Sequence, residues 1–306
     1  MSIVALIKGR RGASGFGYAS TAEEVTAGLD LRGKNILITG VNSGLGQENA
    51  RVLAARGARI LGCARTHDKA LEAGRHCGAQ FVPLACELSE PASVRACVAE
   101  VQRQGLRLDG IICNAGIMAL PERKLQHGQE LQFLTNHIGH FLLVTGLLPQ
   151  LTEHARVVVL SSSAHNAAPK AGIQFDDLSL ERSYTPWRAY GQSKLANLLF
   201  ARALARRFAG SARTANAVHP GVIATNLMRH MNPIARASMG LAEVIALKTI
   251  PQGAATQCYV AAHPATAAIS GEFFADCNVA RSSAAGRDLA LAERLWTVTE
   301  EITSKL

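Results

Sequence analysis

The sequence predicts an α/β fold: a doubly wound parallel sheet of about seven strands with helices on both faces. Three observations predict it. Short apolar runs recur along the chain, amphipathic stretches of helix length separate them, and a glycine-rich turn follows the first strong run. Strands that read as continuous apolar runs are buried on both faces, and alternation with helices is what a parallel sheet requires.

Residues 1–32 are rich in Gly, Ser and Thr and have no strong period. They are expected to form an N-terminal extension packed on the main domain. Within them Thr21-Ala-Glu-Glu predicts a short helix, with Thr21 as cap and Glu24 answering it. Residues 33–306 are expected to form a single domain. The strands are predicted at 34–39 (KNILIT), 58–64 (ARILGCA), 81–84, 109–113 (DGIIC), 156–160 (RVVVL), 214–218 and 271–275. Helices are predicted from the glycine turn to residue 56 and over 91–104, 131–151 and 188–208. No repeat or low-complexity linker divides the chain.

Composition narrows the function. The chain has 306 residues, 48% of them hydrophobic and 18% charged. That charge is below the roughly 25% of an average soluble protein, so a large core is expected and disorder is not. Aromatic residues make up 5%, too few for a platform that stacks single-stranded nucleic acid. The net charge of +9 is spread along the chain, with its densest knot at Lys8, Arg10 and Arg11. A DNA-binding domain concentrates such charge on a helix or stripe, so nucleic acid is not expected as a partner. The seven cysteines are odd in number and show no C-x-x-C spacing. They predict free thiols in a reducing compartment, and with it a cytoplasmic, soluble protein. His137 and His140 stand three apart without a carboxylate or thiol at ligand spacing, and no metal is expected. No run of eighteen apolar residues occurs, so no membrane-spanning helix is expected. Residues 2–7 are apolar, but their basic residues follow them, the reverse of a secretory signal; a weak peripheral anchor is left open.

The first strand runs into Thr39-Gly40-Val41-Asn42-Ser43-Gly44-Leu45-Gly46. Glycines at 40, 44 and 46 between a strand and a helix let the backbone approach a pyrophosphate. The helix start adds free N–H groups and partial positive charge. Gly40, Asn42, Ser43, Gly44, Leu45 and Gly46 are therefore candidate cofactor ligands. An acid commonly ends the second strand and binds a ribose 2′-OH. Here that strand ends Cys63-Ala64-Arg65, with Lys69 beyond. A guanidinium suits a 2′-phosphate, so NADP(H) is favoured and NAD(H) is left open.

Tyr190 and Lys194 stand four apart on a predicted helix and share a face. A tyrosine titrates near 10, and an adjacent ammonium is expected to lower that value and make the phenol an acid–base group. Such a pair is common by chance, and its context gives it weight. Ser161-Ser162-Ser163 follows the fifth strand and Asn114-Ala115-Gly116 the fourth, at the carboxyl edge where open α/β sheets bind ligands. Asn136 lies on the next helix. No G-x-S-x-G elbow precedes a helix, which argues against a hydrolase.

On these residues the chain resembles the short-chain dehydrogenase/reductase family, whose fold is Rossmann-type, over roughly residues 33 to 300. The motifs are TGVNSGLG at 39–46, NAG at 114–116, Asn136 in NHIGHF, the serine run, YGQSK at 190–194 and HPG at 219–221. The segments ELQFLTNHIGHFLL, AYGQSKLANLL, AVHPGVIATNL, PQGAATQCYVA and SGEFFADCN are similar to the branch of retinol-dehydrogenase-like, WW-domain oxidoreductase-like and Tic32-like members.

The resemblance implies a tetrad of Asn136, Ser162, Tyr190 and Lys194, with Ser163 as the alternative serine. Tyr190 would be the acid–base group, and Lys194 would lower its pKa and bind the nicotinamide ribose. Asn136 would hold a water joining Lys194 to solvent. Asn114, Ala115 and Gly116 would line the adenosine side. Pro220, Gly221, Val222 and Thr225 would meet the nicotinamide. Glu87, beside Leu88, stands where the family usually carries an aspartate near the adenine. Ser163, His165, Leu227, Met228 and Met231 are expected in the substrate pocket. A substrate lid is expected around 223–252, where Ile234, Met239 and Leu241 add apolar surface and methionines adapt to varied shapes. The function implied is an NADP(H)-dependent oxidoreductase that interconverts an apolar alcohol with its ketone or aldehyde. An NADP(H)-binding sensor or scaffold is the alternative. A homodimer through helices 131–151 and 188–208 is left open, since this branch includes monomers.

Overall fold

The computed structural model describes residues 9–78, 80–223 and 247–306. In chain order the elements are α1 (Ala22–Val25), β1 (Asn35–Thr39), α2 (Gly44–Ala55), β2 (Arg59–Ala64), α3 (His67–Gly74), β3 (Phe81–Ala85), α4 (Pro91–Arg103) and β4 (Leu108–Cys113). A small hairpin of β5 (Leu125–Gln126) and β6 (Gln129–Glu130) leads into α5 (Leu131–Phe133), a π turn (Leu134–Ile138) and α6 (Gly139–Leu147). Then come β7 (Leu151–Leu160), α7 (Pro186–Arg207), β8 (Thr214–His219), α8 (Ile250–Ala262), β9 (Phe273–Ala275), β10 (Asn278–Val279) and α9 (Leu289–Thr303).

One sheet holds eight strands in the order β10-β9-β8-β7-β4-β1-β2-β3. All pairings in it are parallel except β9 with β10. β1 pairs with β2 on one side and β4 on the other, through Leu37 against Leu61 and Leu37 against Ile111. The strand order reverses between β1 and β4, and the crevice at their carboxyl ends is where such sheets take ligands. All seven predicted strands are present. The eighth, β10, is added by a tight turn at Asp276 and Cys277, both left-handed at φ 51° and 61°. Two successive left-handed residues match the twist of a hairpin.

Helix starts follow local chemistry. Thr185 caps α7 by accepting from Arg188 N, and Pro186 follows where a missing N–H costs nothing. Thr249 and Gln252 form a capping box on α8, as Thr21 and Glu24 do on α1. The helix predicted over 131–151 is interrupted and shorter. It passes through the π turn, and Pro149 ends it because a proline there removes an i→i−4 bond. Leu151 already belongs to β7.

The core lies on both faces of the sheet. One side packs β residues such as Leu61 and Val157 with Phe133, Phe141, Phe200 and Trp296. The other packs Ile38 and Val158 with Leu53, Ala254 and Tyr259. Residues before β1 join this second side. Ala22 and Val25 are buried in it, Phe16 stands edge-on to Tyr259 at 5.6 Å, and Asn278 Oδ1 accepts from Ser14 N at 3.0 Å.

α9 lies across α6 and α7. Trp296 stands 4.8 Å from Phe141 and 5.8 Å from Phe200, and the Arg207 guanidinium lies 3.7 Å over its ring. The two helices expected to meet across a two-fold are thus covered within the chain. No helix among the described residues is long and apolar enough to cross a membrane, and no group of His, Cys, Asp and Glu among them could hold a metal ion.

Candidate active site

A cavity of about 1120 Å³ opens over the carboxyl ends of the central strands. Its dinucleotide-like half is built on β1, β2, β3 and β4. Gly40 sits at φ 73°, and a Cβ there would come within 3.0 Å of the Ala115 side chain. A Cβ on Gly46 would come within 2.2 Å of the Gly40 carbonyl. Gly40 is therefore needed for its conformation and Gly46 for close helix–strand packing, and Gly46 does not line the cavity. Asn42, Ser43, Gly44 and Leu45 do. Ser43 begins α2 without a side-chain capping bond, and no acid follows in the first turn. The start of α2 so presents unspent N–H groups and partial positive charge.

Arg65 lines the cavity at the end of β2. Lys69 does not: it is exposed on the first turn of α3, with its N–H on Thr66 Oγ1. Glu87 and Leu88 line the wall after β3, and the Glu87 carboxylate accepts from Ser89 N and Oγ at 3.3 and 3.1 Å. Asn114, Ala115 and Gly116 follow β4. Thr39 Oγ1 accepts from Asn114 N at 2.9 Å and Ala115 N at 3.0 Å, while Asn114 Nδ2 donates to Thr39 O at 2.9 Å. The features fit a dinucleotide: a backbone cradle a Cβ would fill, an anion-ready helix start, and a guanidinium with no competing carboxylate at the end of β2.

The other half holds the reactive groups. Tyr190 and Lys194 face the cavity from α7, and Ser162 and Ser163 face it from the end of β7. Ser162 stands near enough to Tyr190 to act on its phenol. Lys194 Nζ donates to Leu160 O at 3.0 Å and lies 5.6 Å from the centre of the Tyr190 ring. The ionisation of the pair differs from the expected one. Burial pushes the Tyr190 phenol up to about 12, with Ser162 pulling the other way. Burial pulls the Lys194 ammonium down to about 7. Desolvation outweighs the pull of Ser162, so Tyr190 is a protonated group at neutral pH.

Asn136 lies behind this wall and does not line it. Its side chain accepts from Ile117 N at 2.8 Å and donates to Ile117 O and Ser193 Oγ, both at 2.9 Å. Its carbonyl accepts from His140 Nδ1 at 2.9 Å. The Asn136 carbonyl and Lys194 Nζ each have one protein partner and keep capacity for a further hydrogen bond, as the water implied by the resemblance would need. Gly116 permits the arrangement, since a Cβ there would come within 3.0 Å of Asn136 Oδ1 and 3.6 Å of Lys194 Nζ.

His165 does not line the cavity either. It is buried behind the serine segment, donating from Nδ1 to Ser162 O at 2.6 Å while Nε2 accepts from Ser283 N at 3.0 Å. The ring braces Ser162 from behind. Pro220, Gly221 and Val222 line the far end; Gly221 is left-handed at φ 90°, and Val222 O accepts from Lys248 N at 2.8 Å. Thr225, Leu227, Met228, Met231, Ile234, Met239 and Leu241 lie outside the described residues. Of the expected lid, 250–252 form the first turn of α8.

Sequence reading missed several lining groups. Trp187 stands one turn before Tyr190 on α7, its ring 6.1 Å from the phenol ring, and i,i+3 spacing could have found it. Ile117 and Met118 continue the turn after Gly116 into the cavity, and His219 accepts from Ser163 N at 3.3 Å. Nothing in local sequence marks Gln126, which reaches the site from the small hairpin.

The switch-point cavity, the glycine turn and the Ser–Tyr–Lys group define the class, a Rossmann-type oxidoreductase site. The family described as short chain dehydrogenase matches residues 34–175. The chain is 41% identical over 326 aligned positions to the short-chain dehydrogenase TIC 32 B, chloroplastic, of Brassica napus, covering 100% of both chains. It is 38% identical over 298 positions to retinol dehydrogenase 14 of Homo sapiens, covering 90% of this chain and 88% of that one. Among solved structures, an uncharacterized protein from Mycobacterium Paratuberculosis superposes with a TM-score of 0.75 at 35% identity, over 92% of this chain and 97% of that one. The angucycline C-6 ketoreductase LanV with bound NADP shares the fold, with a TM-score of 0.65 at 23% identity over 80% and 95%. The chain belongs to the short-chain dehydrogenase/reductase family.

Proposed function

We propose that this protein is an NADP(H)-dependent oxidoreductase that interconverts an apolar alcohol with its ketone or aldehyde. The observation that carries the reading is the placing of Ser162, Tyr190 and Lys194 in one cavity with the glycine turn and Arg65. The N–H groups at the start of α2 would hold a pyrophosphate, Arg65 a 2′-phosphate, and Pro220 to Val222 the nicotinamide end. A bound nicotinamide supplies or takes the hydride at the carbonyl carbon. Ser162 Oγ would hold the carbonyl oxygen, and Tyr190, protonated at neutral pH, would give it a proton. In the reverse direction Tyr190 takes that proton. Trp187, Met118 and Ile117 give the substrate side an apolar wall.

The test is oxidation of NADPH and NADH over a panel of apolar aldehydes and ketones, with Tyr190→Phe beside it. Turnover with NADPH that the substitution removes supports the reading. Binding of NADPH with no turnover on any panel member favours a sensor or scaffold. Seven free cysteines suit a reducing compartment, which the cytoplasm provides, while the Brassica napus relative is named chloroplastic.

A further inference from the structure

Three cysteines meet beneath the adenosine side of the cavity. Cys63 is near the end of β2, Cys86 follows β3 and Cys97 lies on α4. Cys63 Sγ is 3.9 Å from Cys97 Sγ, with either sulfur able to donate, and Cys86 stands near enough to perturb both thiols. All three are buried, and Cys86, 5% exposed, is the one of them that lines the cavity.

The strand that carries Cys63 also carries the cofactor frame. Cys63 O accepts from Gly40 N at 2.8 Å and from Val41 N at 3.2 Å, so the glycine turn hangs from it. Ala64 O accepts from Cys86 N at 2.7 Å, and Arg65 is the next residue. A disulfide needs its sulfurs about 2.05 Å apart, so closing the Cys63–Cys97 contact draws the two sulfurs nearly 2 Å together, by side-chain rotation and any shift of β2 against α4 that the bond geometry demands. A link to Cys86 moves a residue of the cavity wall itself.

We propose that Cys63, Cys86 and Cys97 form a peroxide-responsive thiol site whose disulfide, made on Cys97, weakens dinucleotide binding. The proposal rests on the dinucleotide reading of the cavity. Peroxide reaching the cavity is attacked by the Cys86 sulfur as Cys86, raised by Cys97 and by burial, gives its proton to the lower Cys97 thiolate beside it, and that proton goes on to the departing oxygen. An S–O bond forms, the O–O bond breaks, and one oxygen leaves as water after taking up a proton. The Cys97 thiolate then attacks the Cys86 sulfur. The S–S bond forms, the S–O bond breaks, and the second oxygen leaves as water. In sum two thiols lose two electrons and two protons, and one hydrogen peroxide becomes two waters. Cys63 is placed to exchange onto the same sulfur. The neighbouring Cys63 and Cys86 thiols pull Cys97 below the ordinary thiol value while they themselves are held above it, which suits Cys97 as the sulfur that attacks in the second step. Bound dinucleotide shields Cys86 and slows its oxidation, while a disulfide that draws on Cys63 pulls the carbonyl from which Gly40 N and Val41 N hang and so disturbs the glycine turn.

The test treats the reduced, purified chain with hydrogen peroxide, with and without NADPH. Thiols are counted after denaturation, the link is mapped by peptide mass spectrometry, and NADPH affinity is measured by fluorescence titration. The seven thiols are expected to fall by two, with Cys97 joined to Cys86 or Cys63. NADPH affinity is expected to drop about tenfold or more, to return with dithiothreitol, and to be unchanged by peroxide in Cys97→Ser. Cys97→Ala serves if the serine does not fold. Seven surviving thiols, a link between other cysteines, or a Cys97 link that leaves NADPH affinity unchanged would each overturn the proposal. If the reduced chain does not bind NADPH, the dinucleotide reading fails by itself, and the thiol count and map still decide whether the site exists.

Discussion

Thr39 Oγ1 donates its one hydrogen to His140 Nε2, 2.8 Å away. The direction follows from bookkeeping. Thr39 Oγ1 already accepts from Asn114 N and Ala115 N, so the hydroxyl hydrogen is free only for the ring. Nε2 is therefore the acceptor, and Nδ1–H donates to the Asn136 carbonyl at 2.9 Å. A neutral histidine in one tautomer ties the end of β1, the turn after β4 and the π turn into one unit.

That tautomer makes the fold acid-sensitive. Burial is the leading cause that holds His137 down to about 3 and His140 and His219 down to about 4, against an ordinary 6.5. The folded state stays neutral while the unfolded chain protonates. The stability contribution is full above 6.5 and is lost as pH falls from there toward 4. Each ring removes up to about 1.4 kcal/mol per pH unit in that window. Urea midpoints at pH 7.5, 6 and 5 check this; a flat profile would refute the neutral assignment.

Tyr190→Phe keeps the ring and removes the only proton it can donate. It is expected to lower kcat by about 10²–10⁴-fold and to leave the NADPH Kd within a factor of about two. Stopped-flow turnover and a binding titration read the two quantities separately.

Arg65→Leu removes the guanidinium at the end of β2. Hydrogen bonds to charged groups contribute about 1.5–3 kcal/mol, so NADPH is expected to bind about 10–100-fold more weakly, with NADH little changed. Equal losses for both cofactors would take the 2′-phosphate away from Arg65.

Gly46→Ala places a methyl 2.2 Å from the Gly40 carbonyl. The backbone has to give, and the cost is expected to be about 1–3 kcal/mol. Dinucleotide binding should fall with it, because α2 and the glycine turn can no longer close together.

Trp296→Ala empties the aromatic contact between α9 and the helix pair, at an expected cost of about 3–5 kcal/mol by thermal or urea unfolding. With that face covered by α9, the wild-type chain is expected to sediment as a monomer.

Much of this was legible in the sequence, for local reasons. The apolar runs at β1, β2, β4 and β7 could bury nowhere but in a two-sided sheet, and the glycines at 40, 44 and 46 named their own turn. Tyr190 and Lys194 share a face because helix geometry leaves no alternative. What stayed hidden depends on packing. Lys69 points away because α3 sets its azimuth, and His165 turns inward because Ser283, far along the chain, receives it. The π turn is invisible in LTNHI. The upward shift of Tyr190 could not be read from spacing, because spacing reports the neighbour and not the loss of water.

The position of α9 sets an order on folding during synthesis. Phe141 and Phe200 emerge from the ribosome long before Trp296, and until α9 has emerged as well the helix pair has no cover from it. A nascent chain that lacks a docked α9 displays an aromatic surface, so factors that bind such surfaces have a window in which to hold it, and that window closes when α9 has left the ribosome and packed on Phe141 and Phe200.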